Sequence, residues 1–574
     1  MTRSTGAVRG VLLIVAAALA LAGCTVGLST DTAATASAAL PQTGWRVADR
    51  DQVADGGVLR LPVDAIPANF QLNNADSGTA DDQLVAGLYL PSFTTITADG
   101  SWQPDPDFAS SISLKSTAPQ VVEVKINPKA VWSDGTPITY RDLTANWHAF
   151  NGSDPAFAPL STNVWEDVVA VSAGTDPYDT LITFGRTNAD WPSMLGVLYP
   201  AWSLDTPEHF DTAWAAGPFA ADGATYVSGG PFVVTKADAG AGVLTFGRNP
   251  RWWGRPAKLD QVVLTAASRE DEGQAFDNHE FDVVDLHGRA DTYTTVQARS
   301  DATVERSLGT VCRQITLNGT SSVFADARVR EAFAVVLDRQ VLAQAILQPV
   351  GSPVELLDNL IYLPGQNGYE DHLSATLTGR ADDAKKLLNA AGWDTSGAVA
   401  TKAGAQLTVR FVIPGQNPSS AAVAQLVSQQ AAAAGFRVAI DSVPASGFFS
   451  QYVTTQNRNF DATYFAWLGS PFPISDAKSK FYPADSGQNY PGVSDESLGA
   501  AWDKANAELD PKKRIALANA IDKKITALYT TIPLFPEPNA WGVDATLANY
   551  GPAQFQSVQW ADVGYLKNVG YPEK

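Results

Sequence analysis

Ser475-Asp476-Ala477-Lys478 is the segment most suggestive of catalysis, because it has the S-x-x-K spacing of penicillin-recognising serine enzymes. In those enzymes the serine is the nucleophile, and the motifs S-D-N and K-T-G complete the site. This chain has SDE at 494–496 and contains no K-T-G. The S-x-x-K pattern alone is expected about once by chance in a chain of this length. The sequence therefore predicts no catalytic residue and no enzyme activity.

Patterns that bind metals or phosphates are also missing from the sequence. The histidines are scattered, none belongs to an H-E-x-x-H motif, and the cysteines form no ligand pair. No glycine-rich loop leads into Lys and Ser or Thr, as phosphate binding would require. We therefore expect no metal site and no cofactor. The histidines are His148, His209, His279, His287 and His372.

The first residues predict export and a lipid anchor. Two arginines precede an apolar run over 11–22, which is shorter than the about 20 residues that a membrane span needs. The run ends in LAGC (21–24), which resembles the lipobox of bacterial lipoproteins. This resemblance implies a signal peptide over 1–23, a lipid on the Cys24 sulfur, and a location on the extracytoplasmic face of the cell membrane. A plain secretory signal with an incidental Cys24 is the alternative.

Charge and length narrow the class of protein further. The formal net charge of −20 disfavours nucleic acid as a partner. A chain of 574 residues exceeds what one hydrophobic core holds, so we expect two or more lobes. Residues 24–44, rich in Thr, Ala and Ser, are predicted to be the lipidated cysteine and a flexible tether. With Cys24 lipidated, Cys312 has no partner for a disulfide, and we expect its thiol to be buried.

The hydrophobic patterns predict a mixed α/β fold, richer in strands in its first half. Alternating apolar residues predict strands at 121–128, 179–186, 230–236 and 242–250. In the second half, a strand at 407–414, a helix at 419–434 and a strand at 436–441 form a βαβ unit, which implies parallel strands. Further helices are predicted at 326–346 and 381–393.

The segment VWSDGTPITYRDL (131–143) predicts a turn between a strand and a helix. Asp134-Gly135 supplies the turn, because glycine adopts positive φ without strain. Pro137 favours an extended exit from it, and Thr139 can cap the helix that follows. Taken alone, this segment and its Trp132 are expected to be structural.

Six blocks of the sequence, occurring in order, resemble the family 5 extracellular solute-binding proteins, the dipeptide/oligopeptide/nickel class of ABC importer receptors. They cover most of residues 55–540. The blocks are the 131–143 segment, GGPF (229–232), NPRWWG (249–254), FADARVREA (324–332) with Asp338-Arg339, AKKLL with AGW (384–393), and FD to W (460–467).

The resemblance implies a two-lobed periplasmic-binding-protein-like fold of the class II or cluster C type. An extra domain is inserted in its first lobe. The implied first lobe comprises 45–85, 227–310 and 540–574. The extra domain comprises 86–226 and the second lobe 311–539.

The resemblance also implies where a ligand binds. Phe448, Tyr464, Trp467 and Ser470 correspond to peptide-contacting positions of the family. Peptide-binding relatives commonly have an aspartate where this chain has Ser470, to pair with the ligand's α-ammonium group. Asp76 and Asp476 are the candidate substitutes for that missing charge. Trp467 and Tyr464 are three residues apart on one strand, so they are expected to point to opposite faces.

The implied function is that of the substrate-binding lipoprotein of an ABC importer. It would capture short, apolar-rich peptides as a monomer and deliver them to permease and ATPase subunits. The alternative is a cell-envelope lipoprotein on the same fold that binds a glycolipid or haem, or that regulates the cell wall without transport.

Overall fold

The structure is a computed structural model that describes residues 39–67, 69–74, 77, 79–215, 227–238 and 240–567. The predicted signal peptide, Cys24 and Asp76 lie outside the described residues. No helix within these ranges is long and apolar enough to cross a membrane.

The strands of the described residues extend over most of the chain, and they fall into one large sheet, two four-stranded sheets and three short pairs. They are β1 (Val58–Val63), β2 (Thr94–Ile96), β3 (Trp102–Pro104), β4 (Ala109–Thr117), β5 (Gln120–Ile126), β6 (Val168–Ala173), β7 (Asp179–Phe184), β8 (Phe232–Asp238), β9 (Val243–Arg248), β10 (Gln261–Ala266), β11 (Val283–Asp285), β12 (Ala302–Leu317), β13 (Thr401–Lys402), β14 (Ala405–Gln406), β15 (Thr408–Pro414), β16 (Arg437–Val443), β17 (Ala462–Leu468), β18 (Thr531–Asp544), β19 (Leu547–Ala548) and β20 (Gly564–Tyr565).

The helices are concentrated in the second half of the chain. They are α1 (Ala80–Tyr89), α2 (Tyr140–Phe150), α3 (Pro207–Thr212), α4 (Arg269–Asp277), α5 (Ala290–Ala298), α6 (Ala327–Val335), α7 (Arg339–Leu347), α8 (Ala381–Ala390), α9 (Pro418–Ala432), α10 (Pro473–Phe481), α11 (Leu498–Ala507) and α12 (Pro511–Thr526).

The first lobe contains both four-stranded sheets, with strand orders β1-β10-β9-β8 and β4-β5-β7-β6. The second of these sheets lies within 86–226, the predicted extra domain. Its buried residues, such as Val124 and Ile182, belong to the same hydrophobic cluster as Leu59 and Leu264 of the other sheet. The two sheets therefore share one core, and the extra domain stays a prediction.

The turn at 131–143 has the predicted conformation. Gly135 has a φ of +95°, and Trp132 is buried in the core of the first lobe. Thr139 caps α2 by accepting a hydrogen bond from the Arg141 backbone N–H, and the Asp142 side chain accepts one in return from the Thr139 backbone N–H. The segment is structural, as expected.

A six-stranded sheet with the order β11-β18-β12-β17-β15-β16 extends from β11, within the predicted first lobe, to β17, β15 and β16, within the predicted second lobe. Strands β15 and β16 are parallel and are joined through α9, so the predicted βαβ unit is confirmed. The stretch at 326–346, predicted as helical throughout, is instead two helices. Asp338 separates them because its side chain accepts the Val341 N–H and caps α7.

Strands β12 and β18 cross from one lobe to the other. At one end β18 pairs with β11, and at the other end β12 pairs with β17. The predicted lobe boundaries at 310/311 and 539/540 fall inside these two strands, so lobes with these boundaries would be joined by continuous strands. The β12–β18 register shifts between Ser307 and Val311. Gly309 lies in this irregularity, where an added Cβ would come within 1.8 Å of the Glu537 carbonyl oxygen.

Candidate ligand-binding cleft

A cavity of about 970 Å³ lies between the two lobes. The first lobe contributes the end of β1, α1, the loop after β3, α4 and the segment that follows β19. The second lobe contributes Leu468, Gly469, Pro471 and Phe472, at and beyond the end of β17. Thr310 and Asn539 of the crossing strands also line the cavity. Its position between lobes joined by two strands is typical of a site that closes around a ligand.

Acidic side chains outnumber basic ones among the residues that line this cavity. The single basic residue is Arg269, whose Nη2 lies 2.7 Å from Asp285 Oδ2. Glu272 is neutralised by Arg289, at 2.8 Å between Nη1 and Oε2. The other lining acids make no ion pair with Lys or Arg of the described chain; they are Asp64, Asp81, Asp105 and Asp107.

Asp105 and Asp107 lie in the short connection between β3 and β4. The Asp107 backbone N–H donates to Asp105 Oδ1 at 3.0 Å. Burial raises the pKa of Asp105 to about 6, and the nearby Asp107 charge adds to this effect. Burial also raises the pKa of Asp107. The loop thus presents one buried and one half-buried carboxyl group, and neither forms an ion pair with a described Lys or Arg.

Aromatic rings form much of the apolar lining. Phe108 packs against Trp252 with 5.7 Å between ring centroids. Farther along the cavity, Tyr550 packs between Trp541 and Trp560, at 5.9 Å and 5.2 Å. Such surfaces suit apolar side chains or the flat faces of a ligand.

Three of the predicted contact residues lie together beside the cleft. Trp467, Ser470 and Asp476 line a smaller cavity of about 40 Å³, which shares Leu468 and Gly469 with the large one. Trp467 stacks on Tyr490 at 5.3 Å, and Lys480 Nζ lies 5.1 Å from the centroid of its ring. Asp476 forms an ion pair with Lys480 at 2.7 Å. The roles of these residues in binding stay predictions.

Tyr464 and Phe448 lie in hydrophobic cores and line neither cavity. Tyr464 is 2% exposed, and its hydroxyl has no hydrogen-bond partner among the described residues. Trp467 packs on the opposite face of β17, with Phe465. The prediction that the Tyr464 and Trp467 side chains point to opposite faces of one strand is therefore confirmed. Asp76 lies outside the described residues, so its predicted role stays a prediction.

The cleft residues that sequence reasoning missed are Leu468, Phe472 and the carboxylates of the first lobe. Leu468 is 68% exposed, which is unusual for a leucine at the end of a core strand. Its position directly after Trp467, a predicted contact residue, could have indicated that Leu468 lines the cleft. No pattern in the sequence indicated the acids, because Asp64, Asp81 and Asp105 come from separate loops and elements that only the fold brings to one cavity.

The Ser475 and Lys478 side chains of the S-x-x-K segment have separate partners. The Ser475 hydroxyl lies 3.5 Å from the Phe472 carbonyl oxygen, and Lys478 Nζ lies 2.7 Å from Asp503 Oδ1. Neither contact joins the serine to the lysine. Cys312, opposite Trp467 in the β12–β17 pairing, is buried as expected, and burial raises the pKa of its thiol to about 12.

A charged network joins the crossing strands below the cleft. Glu537 of β18 accepts a hydrogen bond from Arg313 of β12 and lies 3.2 Å from His287 Nε2. His287 also contacts Asp285, the partner of Arg269. Burial opposes a charge on His287, but the two carboxylates prevail and raise its pKa to about 9. The network therefore contains a charged imidazolium at neutral pH.

The sequence profile for the middle region of the bacterial extracellular solute-binding proteins, family 5, matches residues 103–491. The chain belongs to this family. It is a substrate-binding protein of an ABC importer, and the resemblance inferred from the six sequence blocks is confirmed.

Curated relatives match over most of the chain. Oligopeptide-binding protein OppA of Mycobacterium tuberculosis is 34% identical over 523 residues, which cover 90% of this chain and 86% of that protein. The probable monoacyl phosphatidylinositol tetramannoside-binding protein LpqW of the same organism is 25% identical over 458 residues, covering 73% and 68%.

A solved structure supports the two-lobed fold. The periplasmic EDTA-binding protein EppA matches with a TM-score of 0.81 and 23% identity, covering 92% of this chain and 99% of that one. At this identity the likeness shows the fold, and the fold class inferred from the sequence is confirmed.

Proposed function

We propose that this protein captures peptides with apolar side chains in the interlobe cleft and delivers them to the permease and ATPase subunits of its importer. The observation that carries the proposal is the cavity of about 970 Å³, lined by aromatic rings and by exposed amide side chains. Its volume lies at the upper end of the roughly 300–1,000 Å³ that ligand sites span.

The cleft offers both kinds of contact that a peptide needs. The rings of Trp252, Trp541 and Trp560 can pack against apolar side chains. Gln83 and Gln559 are exposed in the cavity, and their amide groups have no hydrogen-bond partner within the described part of the chain. Such amides can donate to and accept from peptide main-chain groups. The 34% identity to an oligopeptide-binding protein agrees with this assignment.

The LAGC ending of the apolar N-terminal run supports a lipid anchor on Cys24. An anchored monomer on the extracytoplasmic face would keep the cleft close to the permease. Mass spectrometry of the membrane-extracted protein tests this, because a diacylglyceryl group on residue 24 adds a defined mass. The Cys24→Ser variant is the control and is expected to be released from the membrane.

We infer that the protein performs no chemistry on its ligand, since the Ser475 hydroxyl and the Lys478 ammonium group contact other residues, Phe472 and Asp503. Nitrocefin hydrolysis that is abolished by Ser475→Ala would contradict this inference.

A glycolipid is the second candidate ligand, and the similarity to LpqW over 73% of the chain favours it. Haem fits less well. The residues that line the described cavity include no His, Cys or Met, and their one tyrosine, Tyr550, is buried between two tryptophan rings, so a haem iron would have no accessible axial ligand there.

Native mass spectrometry of freshly purified protein separates the candidates. Bound species of mixed mass that fragment as peptides support the proposal, whereas a single bound glycolipid supports the alternative. Small-angle X-ray scattering with added peptide is expected to show a more compact particle, because the lobes close around the ligand.

A further inference from the structure

The lining of the cleft has an unbalanced charge that the protein does not neutralise. Asp64, Asp81, Asp105 and Asp107 have no Lys or Arg partner within the described ranges, and Arg269, the one basic lining residue, already pairs with Asp285. Unpaired carboxylates are ordinary on an open surface. In a desolvated cleft they are costly unless a cation joins them.

Asp105 is the least solvated of these acids, with only 9% of its surface exposed. Its Oδ1 accepts the Asp107 backbone N–H, but Oδ2 receives no hydrogen bond from any described residue. The half-buried Asp107 carboxylate likewise receives none. Two carboxylates separated by one residue therefore face the same cavity with acceptor oxygens to spare.

The protein cation whose field reaches both carboxylates is Arg255, and it is engaged elsewhere. Its Nη2 lies 2.7 Å from Asp562 Oδ2. Arg255 therefore favours the ionised form of each acid from a distance but forms an ion pair with neither of them.

The neighbouring rings also favour a positive group. Phe108 follows Asp107 directly and packs against Trp252, and both rings line the same cavity. Aromatic faces attract ammonium and guanidinium groups, most strongly where water is excluded.

We propose that Asp105 and Asp107, with Phe108 and Trp252 beside them, form the seat for a positively charged ammonium or guanidinium group of the ligand. This inference rests on the proposed function and specifies it: the substrates are peptides with a free amino terminus or a basic side chain. The predicted contact residues of the second lobe offer no equivalent, because Ser470 is uncharged and Asp476, which lines the smaller cavity beside the cleft, is already paired with Lys480. The charge that the second lobe lacks at Ser470 is thus supplied by the first lobe.

Calorimetry with matched peptides tests the seat without any change to the protein. The probes are alanine–leucine peptides of several lengths with amidated carboxyl ends, each made with a free amino terminus and with an acetylated one. The free amine is expected to bind at least ~10-fold more tightly, since only it can pair with the buried carboxylates. Binding that is equal for the two forms would overturn the seat and leave the peptide function standing. No binding of any peptide would overturn both.

Variants of Asp105 and Asp107 test whether these residues cause the preference for the free amine. Asp105→Asn keeps the Oδ1 acceptor for the Asp107 N–H, so the loop is expected to fold, and Asp105→Asn/Asp107→Asn removes both charges. The double variant is expected to bind the free and acetylated peptides alike. Asp503→Asn, which changes the net charge by the same amount as the single variant Asp105→Asn but at an exposed site outside the cleft, is expected to retain the full preference. If the double variant also retains it, the seat is not at these residues.

Discussion

Arg313 and Glu537 form an ion pair between the two strands that join the lobes, with 2.7 Å between Nε and Oε2. Glu537 is largely buried, and its second oxygen lies 3.2 Å from His287. Burial opposes its ionisation, but His287 and Arg313 hold the pKa of Glu537 below its usual value. The charged side chains that link β11, β12 and β18 therefore stabilise one another's ionised forms.

The stability of the protein is expected to fall as the pH rises through about 9. The folded-state pKa of His287 is about 9, above the roughly 6.5 of an unfolded chain, so its contribution is complete below 6.5 and is lost above 9. The loss is on the order of 3 kcal/mol. Urea unfolding at several pH values measures it, with His287→Asn as the control. A variant with the same pH dependence as the wild type would contradict the assignment.

Binding of a free-amine peptide is expected to weaken as the pH falls below about 6, where Asp105 takes up a proton. If only the ionised carboxylate binds the cation, affinity falls about tenfold between pH 7.5 and pH 5. Calorimetry at both pH values measures the change. The acetylated peptide and the Asp105→Asn variant provide the comparison, and both are expected to show little pH dependence in this range.

Leu468→Ala is expected to weaken peptide binding without affecting folding. The side chain is 68% exposed in the cleft, so its removal costs contact with the ligand rather than with the core. Loss of that contact is worth about 1 kcal/mol, or roughly fivefold in Kd. Leu160→Ala is the matched control, because Leu160 is 56% exposed and lies outside both cavities. Equal Kd values for the two variants would exclude Leu468 from the site.

Tyr464→Phe is expected to leave peptide affinity unchanged, because Tyr464 is in the core of the second lobe. Its buried hydroxyl has no hydrogen-bond partner among the described residues, so its removal is expected to raise stability by up to about 1 kcal/mol. Thermal unfolding and calorimetry together check this. A large loss of affinity would instead support the ligand contact that the family resemblance implies.

Cys312 is expected to resist alkylation in the folded protein. Burial raises the pKa of its thiol to about 12, so little thiolate is present or accessible at neutral pH. Iodoacetamide labelling of the Cys24→Ser variant, followed by mass spectrometry, measures this single thiol. Labelling in urea is the positive control, and rapid labelling of the native protein would show that the core around Cys312 opens.

The sequence predicted local structure where each signal was contained in a short segment. The cap at Thr139, the turn at Gly135 and the βαβ unit at 407–441 are examples. Strand β18 was missed because it contains Pro533, Pro536 and Pro538, which argue against a central strand. The structure accommodates these residues through irregular pairing with β12, including a register shift at Arg313/Gln314.

The site was less predictable than the fold. The family resemblance indicated the end of β17, and the structure places Trp467 and Ser470 beside the cleft. It could not indicate Asp105 and Asp107, whose significance comes from burial and from the lack of an ion-pair partner within the described segments. Those properties depend on how distant segments pack, and no spacing in the chain encodes them.

The shared pairing of β12 and β18 restricts how the protein moves. Since both crossings belong to one hydrogen-bonded ribbon, the lobes cannot slide past each other without breaking its ladder. They can bend about an axis that runs across the ribbon, near the irregularity at Gly309. We therefore expect opening to be mainly one rotation, and we expect copies of the protein caught at different stages to differ mainly in a single angle.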